Sequence, residues 1–294
     1  MKTIATVLVL LLFVSCKEEK LAEINVPNYA ELTNSDVKLS MPKEGSWLKQ
    51  HEEKGQTFEQ YIAEDPVKIS EKRNTIYLQP IGEFTPDEKK MVDFTAEYVG
   101  YFFGLRTVLL EPVSADMIPK EKKRIHFDAE QFDASYIIYD VLPDEIPSDG
   151  IVIRGLTATD LYPKPDWNYV FGLASYSKGS AVTSMFRFKD SVVEENYSLC
   201  LSRLIKTSTH EITHMFTVAH CINGVCLMNG SNHIAELDES PNALCSVCLA
   251  KLSWNLEFDN IKRMEKMIAF CKQHKLDSDA DVLQKQYDIL KNKN

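Results

Sequence analysis

His210-Glu211-Ile212-Thr213-His214-Met215-Phe216-Thr217-Val218-Ala219-His220 is the stretch on which both fold and chemistry turn. On an α-helix, His210 and His214 stand one turn apart, about 40° round the axis and roughly 6 Å along it. Both imidazoles therefore reach one metal ion. Glu211 lies beside them, where it can polarise a water at that ion. His220, six positions beyond His214, would fall about 240° further round if the helix ran on. The spacing thus predicts a helix that breaks between His214 and His220 and swings the third imidazole back to the metal.

Cysteines crowd the next stretch. Cys221 follows His220 directly, and Cys226, Cys245 and Cys248 complete a set holding four of the chain's seven cysteines. Two pairs of thiolates at this spacing suit a closed, tetrahedral zinc site with four sulfur ligands. A pair of disulfides, or buried apolar cysteines, is the alternative. Cys200, at the start of the helix carrying His210, and Cys271, on a helical C-terminal stretch, read as buried apolar residues, with a bridge between them as the lesser option.

His210-Glu211-x-x-His214-x5-His220-Cys221-x4-Cys226-x-Met228, closed by Cys245-x-x-Cys248, resembles the archaemetzincin family of zinc metallopeptidases. Gly45-Ser46-Trp47-Leu48, Gly55-Gln56-Thr57-Phe58, Asp160-Leu161-Tyr162-Pro163 and Asn168-Tyr169-Val170-Phe171-Gly172 resemble further segments of its animal-type branch. Together they span roughly residues 45 to 256. The resemblance implies a metzincin-like α/β domain with a mixed β-sheet, an HExxH helix and a Met-turn at Met228. It also implies a catalytic zinc on His210, His214 and His220, a structural zinc on Cys221, Cys226, Cys245 and Cys248, and Glu211 as general base to a zinc-activated water. The substrate would be a peptide or protein, and aminopeptidase activity is ascribed to some members. One position departs from the pattern. Metzincins carry Gly three residues after the second His, where it supports a positive-φ exit from the helix. Here that position is Thr217, and left-handed geometry costs a β-branched residue about 1–2 kcal/mol. Either the turn differs, or neighbours such as the cysteine loop hold the strain.

Outside this block, Thr3 to Ser15 is almost wholly apolar and too short to span a bilayer, as in a secretory signal (residues 1–15). Ser15-Cys16 resembles a bacterial lipobox with lipid on Cys16, and Lys17-Glu18-Glu19 resembles a surface-export signal of Gram-negative lipoproteins. An uncleaved anchor or plain secretory peptide is the alternative. Each places the protein outside the cytoplasm, and the lipoprotein reading anchors it to the outer membrane or cell surface. Residues 16–44 are polar and aperiodic, suiting a tether. The net charge of −10 leaves no cationic excess for nucleic acid or for anionic lipid, so lipid on Cys16 must supply any membrane attachment.

The body, residues 45–256, alternates between periods. Thr75–Gln79, Arg106–Glu111, Gly150–Arg154, Asn168–Ser175 and Ala181–Phe188 read as strands. A helix opens at Thr85 with Pro86 and acidic first-turn residues and runs to about Phe103. Asp133–Tyr139 also suits a helix, and a short one fits Phe58–Ala63, in a stretch that serves as a link or as part of the site. Strands alternating with helices argue an α/β domain around a mixed sheet. The resemblance implies that Phe171–Ser175 is the sheet edge a substrate strand would join; the residues alone say only that it is strand-like, and a buried central strand fits equally. Residues 257–294 read as C-terminal helices.

Two functions fit these residues: a zinc peptidase, or a non-catalytic zinc-binding surface lipoprotein that binds peptides or scaffolds a complex. Glu211 favours the enzyme, because a binding module needs no base beside its metal. Tyr162, Tyr169 and Tyr176 are candidate oxyanion donors that spacing does not separate. His233 reads as a loop residue, and His51, His126 and His274 lack ligand-like neighbours.

Overall fold

The computed structural model describes residues 29–188 and 196–292. Residues 1–15 and Cys16 lie outside the described residues. Three short helices come first, α1 (Tyr29–Ser35), α2 (Trp47–Gln50) and α3 (Phe58–Ala63), followed by β1 (Thr75–Ile81), α4 (Pro86–Phe103) and β2 (Arg106–Leu109). A hairpin of β3 (Lys123–His126) and β4 (Ala129–Asp133) leads into α5 (Ala134–Tyr136), a π-helical turn (Ile137–Val141) and α6 (Leu142–Glu145). Then come β5 (Gly150–Thr157), β6 (Asp160–Tyr162), β7 (Gly172–Ser175) and β8 (Ser180–Ser184). Helices follow: α7 (Tyr197–Met215), α8 (Ile234–Glu239), α9 (Ser246–Leu256), α10 (Asn260–Gln273) and α11 (Asp277–Lys291).

The main sheet runs β2-β1-β5-β8-β7, with β7 antiparallel to β8 and the other neighbours parallel. β1 and β5 are buried along their whole length, as parallel strands covered on both faces must be. Their side chains alternate between two cores. Ile76, Leu78 and Val152 enter one core with α4, α7 and the C-terminal helices, while Tyr77, Ile81 and Ile153 enter the other with the π-helical turn and α6. β3, β4 and β6 form a second, three-stranded sheet. This is the mixed α/β architecture expected from the alternating periods.

Local chemistry sets the main elements. Thr85 Oγ1 accepts from Glu88 N while the Glu88 carboxylate accepts from Thr85 N, so α4 begins on a closed capping box with Pro86 in its first turn. It ends at Gly104, whose φ is 64°. Three strand expectations shorten, Arg106–Glu111 only by its last two residues. Before Gly172, the Asn168 carbonyl accepts from Arg124 and Gln131, and Val170 N–H donates to Leu161 O, so side chains and a loop take the bonds a strand would use. After Ser184, the Ser184 hydroxyl accepts Phe186 N–H and a 3₁₀ turn replaces the strand. The β3–β4 hairpin was not foreseen. Its turn residues, Phe127 and Asp128, both adopt positive φ (48° and 58°) without the Asn-Gly that usually announces such a turn.

The chain before β1 belongs to the folded body. Tyr61 is fully buried and its hydroxyl donates to Phe216 O at 2.8 Å, just past α7. Within the span expected as a tether, Leu32 is buried, Asp36 accepts the N-terminal amide of α9 at Ser246 (3.0 Å), and Val37 O accepts from Val225 N. Among the described residues no helix is long and apolar enough to cross a membrane.

Candidate active site

The helix α7 ends as the motif spacing requires. Val218 N–H donates to Thr213 O and Thr217 N–H to His214 O, the paired bonds of a Schellman turn, with Thr217 at the residue in left-handed geometry (φ 69°). Thr217 therefore adopts the conformation a glycine would take, at a cost of about 1–2 kcal/mol. The groups that hold it come chiefly from the N-terminal segment rather than from the cysteine loop. Val67 N–H donates to Thr217 Oγ1 (3.1 Å), Gln56 Nε2 to Thr217 O (3.2 Å), and Ala219 N–H to Gln56 Oε1 (3.2 Å). Buried Lys251 in turn donates to Gln56 Oε1 at 3.1 Å.

Beyond this turn the three imidazoles meet. His210 and His214 have ring centroids 4.6 Å apart, and His220 lies 5.4 and 4.8 Å from them. Each Nδ1 faces an acceptor: Leu227 O for His210 (2.8 Å), Val218 O for His214 (2.7 Å) and Glu53 Oε1 for His220 (2.7 Å). A carbonyl or ionised carboxylate only accepts, so each Nδ1 carries the hydrogen and each Nε2 presents a lone pair. The Nε2 atoms of His210 and His214 are 3.0 Å apart, and one nitrogen from each of the three rings lies within 4.8 Å of the others. Lone pairs this close repel unless a cation lies among them, so the donor set fits a zinc ion. Burial, reinforced by His220, lowers the pKa of His210 to about 3, and burial likewise holds His214 well down, so both rings favour the neutral form a metal would need.

Glu211 sits beside this set over the edge strand. A Cβ at Gly172 would meet Glu211 Oε1 at 2.9 Å and the Val182 carbonyl at 3.1 Å, so β7 leaves the carboxylate its space by carrying glycine. Beneath lies Arg154, a charged residue fully buried in β5; among the described residues only Nη2 has a partner, Thr207 O at 3.4 Å, while Nε and Nη1 have none. Burial pulls its pKa down to about 10, opposed by the Glu211 charge, and burial raises Glu211, opposed by Arg154 and His220. The two form a long-range pair without a direct hydrogen bond.

Tyr176, just past β7, is the tyrosine the structure brings to the site. Its hydroxyl is 3.3 Å from His214 Nδ1. That Nδ1–H is already directed to Val218 O at 2.7 Å, so the phenolic hydrogen remains for another acceptor. Burial, then the carboxylates of Glu211 and Glu53, raise its pKa to about 12, which keeps it a donor. Tyr162 instead packs under Arg124 and Tyr169 under Arg187. The cleft in front of the imidazoles measures about 400 Å3 and is walled by Trp47, Trp167, Phe171, Tyr176 and Leu237, with β7 along one side. Among the described residues only one edge of β7 is paired, so the strand lies at the edge of the sheet and not at its centre.

The four cysteines form a second cluster. Cys221, Cys226, Cys245 and Cys248 are buried and unbridged, with all four sulfurs within 4.8 Å of one another. Cys221 Sγ and Cys245 Sγ are 3.5 Å apart, well beyond the roughly 2.05 Å of a disulfide. Amides of Asn223, Met228 and Cys245 point at the sulfurs of Cys221 and Cys226. Hydrogen bonds from the other three sulfurs push the Cys221 thiol far down, burial pushes Cys226 up, and the neighbouring sulfurs raise Cys248. Such a set fits a tetrahedral zinc. Met228, fully buried, sits between the clusters: its carbonyl accepts from Cys221 N, and its neighbour Leu227 holds His210. Cys200 and Cys271 are buried and unbridged.

Two groups of site residues escaped the sequence reading. Arg154 left one trace, a charge inside the apolar run Ile151-Val-Ile-Arg-Gly-Leu156. Glu53, whose burial is outweighed by the combined hydrogen bonds from Trp47 and His220 and the nearby imidazoles so that its pKa is lowered, left none. His233 caps α8 by accepting Glu236 N–H, His51 stacks on Trp47, His126 meets Asn168 and His274 packs on Phe94 and Phe270.

The depressed His210 has a consequence for metal-stripped protein. Between pH 6.5 and about 3 the unfolded chain binds protons at this position that the folded one does not, so stability falls as pH drops through that range. Thermal unfolding after chelation should move to lower temperature from pH 7 to pH 4.5, and His210→Gln should blunt the slope. An equal slope in that variant would contradict the assignment.

Comparison with known proteins bears on what this geometry serves. The model for peptidase family M54 matches residues 121–254. Archaemetzincin-2 of Homo sapiens is 31% identical over 274 residues, covering 82% of this chain and 76% of the relative. Archaemetzincin-2 of Macaca fascicularis is 32% identical over 267 residues, covering 78% and 73%. The crystal structure of archaemetzincin from Methanopyrus kandleri shares 27% identity at a TM-score of 0.50, covering 64% of this chain and 98% of that one. The α/β fold with its HExxH helix and C-terminal helices, and the identity over most of both chains, converge: this chain belongs to the archaemetzincin family, peptidase family M54, and is a zinc metallopeptidase.

Proposed function

We propose that the chain hydrolyses peptide bonds with Glu211 as general base and with His210, His214 and His220 as ligands of the catalytic zinc. The observation that carries this reading is the convergence of three imidazoles, each with its Nδ1 engaged by an acceptor, beside a carboxylate in an open cleft. Zinc at that point supplies a Lewis acid that acidifies water and polarises the scissile carbonyl.

The chain's own groups do the rest. An extended peptide lies along the free side of β7 and takes up its unpaired backbone groups. Glu211 accepts a proton from the attacking water at a carboxylate oxygen, then delivers it to the departing amine nitrogen. The Arg154 charge opposes the rise that burial gives the Glu211 pKa and so favours the carboxylate form that begins as a base. The Tyr176 hydroxyl donates to the carbonyl oxygen as that atom gains negative charge. Trp47 and Leu237 cover apolar walls of the cleft and keep stray water from the reacting bond. We assign a second, structural zinc to Cys221, Cys226, Cys245 and Cys248, with Met228 as the apolar floor that links the two centres. Cleavage next to a free N-terminus is the form of activity we assign, following the family resemblance.

The apolar run before Cys16 supports a lipid anchor on that residue and residence at a bacterial outer membrane or surface. Fatty-acid labelling of the full chain, but not of Cys16→Ser, is the expected outcome; equal labelling sinks it.

Glu211→Ala should keep about two zinc ions per chain and lose on the order of 10²–10⁴ in kcat, read from a peptide library in which half the members carry acetylated N-termini. Near-normal turnover would remove Glu211 from its role, and equal cleavage of acetylated peptides would make the enzyme an endopeptidase. Tyr176→Phe should lower kcat on the order of 10²-fold with little change in KM; a change confined to KM would make it a binding residue only.

A further inference from the structure

Two of the three imidazoles are oriented by main-chain carbonyls close to the metal helix, Leu227 O and Val218 O. His220 differs. It stands on irregular chain between the left-handed turn and the cysteine cluster, and its Nδ1 meets a carboxylate 167 positions away in sequence, Glu53 Oε1 at 2.7 Å. That oxygen also accepts the indole Nε1–H of Trp47 at 2.7 Å, and the Trp47 ring meets the edge of His220 with centroids 5.1 Å apart.

Trp47 is itself pinned. Its backbone N–H donates to the Glu236 carboxylate at 2.9 Å, which also accepts Asn232 N–H at 2.8 Å. Its indole lies where any side chain at position 230 would stand, so Gly230 leaves it room, and its other face stacks on His51 at 4.0 Å. A relay therefore runs Glu236, Trp47, Glu53, His220, from the first turn of α8 back to the third imidazole.

We propose that Glu53 is the positioning residue of the third zinc ligand, so that the chain segment Trp47–Glu53 is a component of the metal centre. This deepens the reading of His210, His214 and His220 as zinc ligands and rests on it. A carboxylate acceptor fixes the ring by a charge-assisted bond and makes its free nitrogen a stronger donor than a carbonyl does. Loss of such a partner typically weakens metal binding 10–100-fold.

The test is zinc affinity by competition with a chelator, on the full chain with the cysteine site left filled, for wild type, Glu53→Gln, Glu53→Ala and His214→Ala. Unfolding of the same proteins after removal of histidine-bound zinc is measured alongside. Glu53→Ala should bind zinc about 10–100-fold more weakly, Glu53→Gln should fall between it and wild type, and the unfolding midpoint of the stripped proteins should stay put. Trp47→Phe, which keeps the ring and deletes the donor to Glu53, should show a smaller loss of affinity and carries the test if Glu53→Ala fails to fold. Wild-type affinity in the Glu53 and Trp47 variants overturns the proposal alone, as does a loss matched by an equal fall in stripped-protein stability. No difference between wild type and His214→Ala overturns the zinc reading, and the proposal with it.

Discussion

A helix can aim two imidazoles at one point, but not a third placed six residues further on. The convergence of His210, His214 and His220 depends on the chain reversing at Thr217, in a conformation that glycine adopts freely and threonine does not. That constraint explains the density of hydrogen bonds around one residue. Gln56 brackets the turn through Thr217 O and Ala219 N, Val67 holds its hydroxyl, and Tyr61 holds the carbonyl before it. Backbone strain persists in a fold only where surroundings over-determine it. Here the surroundings are a segment that precedes the first strand of the sheet.

The same economy shapes the cleft. β7 is short, antiparallel and at the edge, and Gly172 lets the Glu211 carboxylate lie against it. Arg154, sealed in β5 two strands in from that edge and with two nitrogens unpartnered among the described residues, is an expensive group to bury. Its charge acts on Glu211 in the opposite sense to burial, which raises the pKa of that carboxylate. The sheet thus contributes shape on its edge and potential from its interior.

Much of this was legible in the sequence. The helix break after His214, the clustering of four cysteines, the capped helix from Thr85 and the buried strand at Gly150 all rest on local spacing, and local spacing survives folding. Three things did not show. The β3–β4 hairpin turns on Phe127 and Asp128, whose identities carry no turn signature. The strands around β7 and β8 are cut short by side chains of Arg124, Gln131 and Ser184, contacts that exist only once the fold does. Glu53 and Gln56 act across more than 160 positions, and no periodicity encodes a partner at that range. Trp47 fell within a stretch that resembled the family, yet its service to the site was invisible until Gly230 and Glu236 stood beside it.

The separation between the turn and its clamps has a temporal meaning. Tyr61 and Phe216 are 155 positions apart, and contacts of that span repay their loop-closure entropy only late in folding. The third imidazole takes its place only when the segment before the first strand has closed onto the turn after α7, and on the proposed mechanism hydrolytic competence waits for that closure.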